Sequence, residues 1–195
     1  VLLTAAAIFF LAPTPRWQNL LLWALGAAGL ALLIRVAPYR LNRLMIFLHP
    51  DIDPMGRGYQ LKQSLIAIGA GGLFGVGPGL SDQKFGFLPE TIGDAIFPVF
   101  AEEWGFLGTA LLVSLILIFV WQGLRVSRLA RDEFSRLVAA GISLWIGLQA
   151  LVNICSMSGL LPLIGIPLPF VSYGGSHLVA ELTGLGILLN ISKDQ

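Results

Sequence analysis

Charge is scarce in this sequence: only 12% of its 195 residues are Asp, Glu, Lys or Arg, about half the roughly 25% usual in a soluble domain. The shortage is concentrated. Residues 1–15, 17–34, 104–124 and 137–176 carry no charged side chain, and 56% of the whole chain is hydrophobic. A spanning helix needs about 20 apolar residues, so the composition predicts an integral, polytopic membrane protein and excludes a soluble domain. No excess of either sign exists: 12 basic and 11 acidic residues leave a net charge of +1. That excludes the basic balance a nucleic-acid partner would require. The single cysteine, Cys155, cannot form an intramolecular disulfide and says nothing of redox compartment. Walker A, zinc-ligand and nucleophile-elbow patterns are absent, and Gly72-x-x-Gly75-x-Gly77 lacks the strand of a nucleotide fold. No cleavable signal peptide is evident, because Val1 already lies in an apolar segment, and the sequence reads as starting in mid-span.

What is present is a series of apolar stretches interrupted once at length. Val1–Ala12 reads as the end of a span, and Trp17–Ala37 as a full one. Trp17 and Trp23 lie toward one end and Tyr39 beyond the other, as an aromatic belt would place them. Gly26, Ala27, Ala28 and Ala31 offer a small-residue face for close packing. Trp104–Gly123, Leu137–Met157 and Val171–Ser192 are the remaining spans, with a proline-rich, charge-free turn over 158–170 before the last. Gln60–Leu80 is apolar after Lys62 but rich in glycine, which predicts a re-entrant or interfacial helix rather than a span. The fold class expected is therefore all-α: about five spans in a single membrane domain over 1–195, with a long loop region at 35–104.

Orientation follows from the short loops. Arg16, the arginines at 125, 128, 131 and 136, and Lys193 fall on one side when 35–104 and 158–170 face the other. The positive-inside rule makes the first side cytoplasmic and 35–104 extracytoplasmic. That region holds six cations and seven carboxylates, and its length exempts it from the rule.

The densest chemistry lies in Gly69–Gly108. Six glycines fall between Gly69 and Gly79, followed by Lys84, Pro89-Glu90, Asp94 and the pair Glu102-Glu103. Asp94 stands among small and apolar residues, where partial desolvation would raise its pKa toward the range of a general base. The plainer alternative is a helix N-cap. Glu90 is a candidate first-turn residue favoured by the helix dipole. Glu102 and Glu103 read as a solvated rim beside Trp104. Lys84, Arg40 and Arg43 are candidate phosphate ligands, with surface solvation the alternative. His49, Asp51 and Asp53 would suggest a metal site, but Pro50 and Pro54 make turn chemistry the stronger reading. Gln149, Asn153 and Ser156 share one helical face, which would bond a neighbouring helix or line a wet cavity. Glu181 lies inside the last span and is a functional candidate on that ground.

Two stretches carry a resemblance. GYQLKQSLIAIGAGGLFGVGPGLSDQKFGFLPETIGDAIFPVFAEEWGFLG and LLPLIGIPLPFVSYGGSHLVAELTGLGILLNIS resemble the SEDS proteins, the family of FtsW, RodA and SpoVE. Pro167-Leu168-Pro169-Phe170 and Ser172-Tyr173-Gly174-Gly175-Ser176 are similar to its signature, and Ser81-Asp82-Gln83-Lys84 looks more like FtsW than RodA. The likeness runs over nearly the whole chain and corresponds to about the C-terminal half of a roughly ten-span fold.

The resemblance implies a peptidoglycan glycosyltransferase that polymerises lipid II at the outer face of the bacterial cytoplasmic membrane, with a class B penicillin-binding protein as partner. It implies that Asp94, which matches the aspartate of the family's LPE…TDFIF motif, is catalytic. Ile92, Gly93 and Ala95 depart from the usual His, Thr and Phe there. Lys84, Arg40, Arg43, Glu90, Ser172, Gly174 and Gly175 are the expected substrate-binding residues. No metal ligand set is expected. Positive charge for the leaving diphosphate would come from Arg, Lys or a bound divalent cation. The rival readings are a lipid flippase or transporter, suggested by Glu181 and the polar stripe, and a non-catalytic scaffold that recruits the transpeptidase.

Overall fold

The computed structural model describes residues 2–11, 17–18, 21, 24–29, 38–49, 53, 56–83 and 93–193. Among them every regular element is a helix: α1 Leu2–Leu11, α2 Pro38–Leu48, α3 Arg57–Ala70, α4 Ile96–Leu129, α5 Glu133–Met157 and α6 Gly175–Lys193. Of these, α4 and α5 are long and apolar enough to cross a membrane. Helix α5 is central, in contact with α1, α3, α4 and α6. Its neighbours approach through small residues: a β-carbon added to Gly141 would press on Ile8, one on Gly147 on Val120, and one on Gly123 on Ser143.

The two ends of α5 are specified locally. At its start the Asp132 carboxylate accepts the Ser135 amide at 2.8 Å, and Ser127 Oγ on α4 donates to the Arg136 carbonyl at 2.7 Å. The cap satisfies one of the amides a helix start leaves unpaired. At its end Gly159, with φ 73°, takes the left-handed position that closes many helices. The Leu160 amide then reaches Cys155 O at 2.8 Å and the Gly159 amide reaches Ser156 O at 3.2 Å.

Helix α3 is 14 residues long, about 21 Å at 1.5 Å per residue, too short to span. This agrees with the interfacial or re-entrant reading of 60–80, although the helical part stops at Ala70. Turns over 71–79 then dock on α4 where that helix is broken at Gly105 (φ 64°, ψ −165°). The Val76 and Gly77 amides bond Glu102 O and Glu103 O at 2.9 and 3.1 Å, while the Phe106 and Leu107 amides bond Gly72 O and Leu73 O at 2.9 and 3.1 Å. The groups freed by the break are thus paired with protein, the condition for irregular backbone at membrane depth. Side chains are excluded from the junction, since a β-carbon on Gly71, Gly75 or Gly105 would collide with the opposing backbone.

One expectation is overturned here. Glu102 is not part of a solvated rim: it is 3% exposed and accepts a hydrogen bond from Ser81 Oγ. Its carbonyl pairs with the Val76 amide and its side chain with Ser81, both from the preceding segment, and a helical pattern gives no sign of that. The last span is also shorter at its start than expected, because residues 168–172 form a turn and α6 begins at Gly175.

Candidate active site

Asp94 sits in the turn 93–95 that leads into α4. Behind it Ala95, Phe97 and Val99 pack with Ala150, Met157 and Leu168 in a buried apolar cluster, so the turn is anchored on α5. The N-cap position of α4 is Ala95, and no side chain caps it; the capping alternative for Asp94 is thereby removed. The Asp94 main-chain carbonyl instead accepts from Asn153 Nδ2 at 2.8 Å.

The segment 158–172 forms the other side of the site. Pro162, Pro167 and Pro169 have no amide hydrogen, so this loop cannot build its own ladder and its carbonyls need outside donors. Helix α5 supplies them. Ser156 Oγ donates to Pro162 O at 3.1 Å, Asn153 Nδ2 to Ile166 O at 2.6 Å, and Gln149 Nε2 to Pro167 O at 3.0 Å. The polar stripe therefore holds the proline loop, and Gln149 Nε2 also lies 2.8 Å from His177 Nε2 on α6, so at that position it bonds a neighbouring helix as well.

The loop's turn at Gly165, φ 72°, passes beneath the Asp94 side chain. A β-carbon built there would lie 3.3 Å from Asp94 Oδ2, so glycine leaves the carboxylate its room. At the preceding residue Arg43 Nη1, on α2, donates to Ile164 O at 3.5 Å. A carboxylate and a guanidinium thus meet adjacent residues of the loop, Gly165 and Ile164. That pairing places a proton acceptor and a fixed positive charge on one short stretch of backbone.

The rest of the loop is held by a second polar group. Phe170 has φ 61°, a costly conformation for a side chain of that size. Its amide donates to Glu181 Oε2 at 3.0 Å. The other Glu181 oxygen lies 2.7 Å from His177 Nε2, and Gln149 Nε2 lies 2.8 Å from the same ring nitrogen. Glu181 is 1% exposed and engaged as a clamp on the loop. The Leu168 amide donates to Ser172 Oγ at 2.7 Å, which turns the Ser172 hydroxyl inward. Gly174 and Gly175 stand at the start of α6, where Gly175 has open space around it.

Of the expected site residues, then, Asp94 and Arg43 converge on Gly165 and Ile164, whereas Ser172, Gly174 and Gly175 lie where the loop returns to α6. Lys84, Glu90 and the side chain of Arg40 fall outside the described residues, as does Asp51. Among the described residues no group of three or more His, Cys, Asp or Glu side chains is placed to hold a metal. Sequence reasoning missed His177, although its spacing of four residues from Glu181 was a readable sign of pairing on one helix. It also missed Gly165, for which no local pattern was available.

Comparison with known proteins bears on the same stretches. The family model described as cell cycle protein, FtsW/RodA/SpoVE, matches residues 1–195. The chain belongs to the FtsW/RodA/SpoVE family. It is 43% identical over 190 residues to stage V sporulation protein E of Bacillus subtilis, covering 97% of this chain and 52% of that protein. It is 44% identical over 197 aligned positions to a probable peptidoglycan glycosyltransferase FtsW of Coxiella burnetii, covering 100% and 53%. The chain thus spans about half the length of the curated relatives it matches. Among solved structures, one described as showing structural coordination of polymerization and crosslinking by a peptidoglycan synthase complex aligns with TM-score 0.69 at 33% identity, over 91% of this chain and 49% of that one. The rod shape determining protein RodA of Thermus thermophilus aligns with TM-score 0.52 at 33% identity, over 67% and 39%. With its apolar helices, this FtsW/RodA/SpoVE family member is an integral, all-helical membrane protein.

Proposed function

We propose that this family member is a peptidoglycan glycosyltransferase of the bacterial cytoplasmic membrane, polymerising lipid II at the outer face with Asp94 as general base. The observation that carries the reading is the convergence of Asp94 and Arg43 on the loop residues Gly165 and Ile164. In the reaction the acceptor sugar hydroxyl attacks the anomeric carbon of the lipid-linked donor. A carbon–oxygen glycosidic bond forms, the bond from the anomeric carbon to the diphosphate oxygen breaks, and the hydroxyl proton passes to the Asp94 carboxylate. Undecaprenyl diphosphate leaves without an acid, so one carboxylate suffices. Its departing negative charge calls for cations, and we assign Arg43 to it, with Arg40 and Lys84 as further contributors. Glu90, Ser172, Gly174 and Gly175 remain proposed substrate contacts. A class B penicillin-binding protein is the proposed partner, a reading supported by the synthase complex among the structural relatives.

Glu181 had suggested transport, but it is taken up by the Phe170 amide and His177, which favours the enzyme reading. The test is purified full-length protein, with its partner, incubated with lipid II. Glycan polymer is expected. Absence of polymer, with lipid II moved across vesicles or the partner merely bound, would overturn the assignment.

The proposed chemistry requires residues 35–104 to lie outside the cytoplasm. Ser81 is buried against Glu102 and is a poor reporter, whereas Asp82 is exposed. Asp82→Cys in a Cys155→Ala background should react with a membrane-impermeant thiol reagent in intact cells. Labelling that needs lysis would reverse the topology.

A further inference from the structure

Asn153 is 1% exposed and sits on the helix face that holds the proline loop, yet it differs from the two residues beside it. Ser156 and Gln149 each bond a loop carbonyl, at Pro162 and Pro167, and neither bonds the turn 93–95. Asn153 alone of the three spans both segments. Its Nδ2 donates one hydrogen to Asp94 O at 2.8 Å and the other to Ile166 O at 2.6 Å. The amide orientation is fixed by this pair, because a flipped group would set Oδ1 against two carbonyl oxygens.

We propose that Asn153 is the positioning residue for Asp94, a proposal that rests on the reading of Asp94 as general base. Both hydrogens leave one nitrogen, so the two carbonyls are tied to a common point. One belongs to Asp94 itself. The other belongs to the residue after Gly165, over which the Asp94 carboxylate lies. Asn153 therefore sets the main chain that carries the carboxylate and the floor beneath it together. A general base must stand within hydrogen-bond reach of the hydroxyl it deprotonates, and displacement on the order of 1 Å costs about 100-fold in rate. Asn153 is buried with both amide hydrogens engaged by main-chain carbonyls, so its loss should fall on turnover rather than on affinity.

The test compares Asn153→Ala with Ser143→Ala and Asp94→Asn in the full-length protein with its partner, on lipid II. Ser143→Ala removes a buried side-chain bond of the same helix, to Ala139 O, away from the proline loop and Asp94. Asn153→Ala should lower kcat by about 10- to 100-fold with KM within about threefold. Ser143→Ala should leave both within about threefold. Amide hydrogen exchange adds a readout free of substrate: Asn153→Ala should raise exchange across 94–97 and leave 102–107 unchanged. Should the alanine variant fail to fold, Asn153→Gln keeps the amide but moves its nitrogen by a methylene, and the same turnover loss is expected. A folded Asn153 variant with parental kcat, or with a kcat loss shared by Ser143→Ala, would overturn the positioning role while Asp94→Asn remains inactive. Parental turnover by Asp94→Asn would instead remove the base, and with it this proposal.

Discussion

Two irregular segments meet the helices of this protein, and they solve the same problem in opposite ways. The glycine-rich segment at 71–79 satisfies its backbone by pairing with other backbone, at the break in α4. The proline-rich segment at 158–172 satisfies its backbone largely with side chains, from Ser156, Asn153, Gln149, Ser172 and Glu181. The reason is stereochemical. Glycine permits the close approach and positive φ that backbone pairing needs there, while proline withholds donors and leaves carbonyls for side chains to fill. The first segment should therefore be sensitive to added atoms, and the second to removed ones. The second lies against Asp94, at Gly165.

The largest effect should come from adding one carbon at the glycine junction. Gly75 and Gly79 share φ 79°, but a β-carbon at Gly75 would collide with Glu103 O, whereas Gly79 has nothing within 4 Å. Gly79→Ala should cost only conformational strain, about 1–3 kcal/mol. Gly75→Ala should cost that and the docking of the segment, so that detergent-solubilised protein is lost or melts far lower. Equal melting of the two variants would show that φ, and not close approach, dictates glycine here.

Removing atoms from the proline loop should matter next. Glu181→Ala leaves the part-buried Phe170 amide without its acceptor, at a residue already held at φ 61°. Loss of a buried partner costs about 1–3 kcal/mol, which a shift in thermal melting would register. Unchanged melting would mean that the loop keeps its shape without the clamp.

The smallest effect lies away from both segments, at the cap of α5. The Asp132 carboxyl is held below its ordinary value, chiefly by the Ser135 backbone amide and also by its hydroxyl. A lowered folded value means its contribution is complete above the unfolded value of about 3.9 and is lost as pH falls through the folded one. Asp132→Asn, which keeps a capping oxygen, should melt slightly more like the parent at pH 3 than at pH 7. The opposite trend would contradict the cap.

Much of the helical plan could be read from the sequence, because charge-free runs over 104–124 and 137–157 report directly on a lipid environment. That 60–80 is not a span was legible too, since glycines spaced through an apolar segment argue against one, but the stop of the helix at Ala70 was not. The helix break was not. Trp104–Gly123 has an unbroken apolar pattern, and Gly105 is set at φ 64° by a segment some thirty residues earlier. A separation of 21 residues likewise hid the burial of Glu102 by Ser81. In the site, Asp94 was singled out by its apolar setting and Arg43 by its charge. Their meeting at Ile164 and Gly165 depends on the course of a proline loop whose carbonyls are held by Ser156, Asn153 and Gln149. The stripe was visible as a pattern, but apart from His177 beside Gln149 its partners came from backbone carbonyls that carry no side-chain signal.

The central claim is that the proline loop and α5 hold Asp94 as a base, and Asp94→Asn tests it most directly. Asparagine keeps the shape and the main-chain carbonyl that Asn153 holds, but it cannot take the proton. Loss of a general base costs about 10²–10⁴ in rate, or roughly 3–5 kcal/mol of transition-state stabilisation. With capping excluded by Ala95 at the N-cap, melting should stay near the parental value. The account predicts lipid II polymerisation slowed at least about 100-fold in a folded Asp94→Asn protein; polymerisation near the parental rate would contradict it.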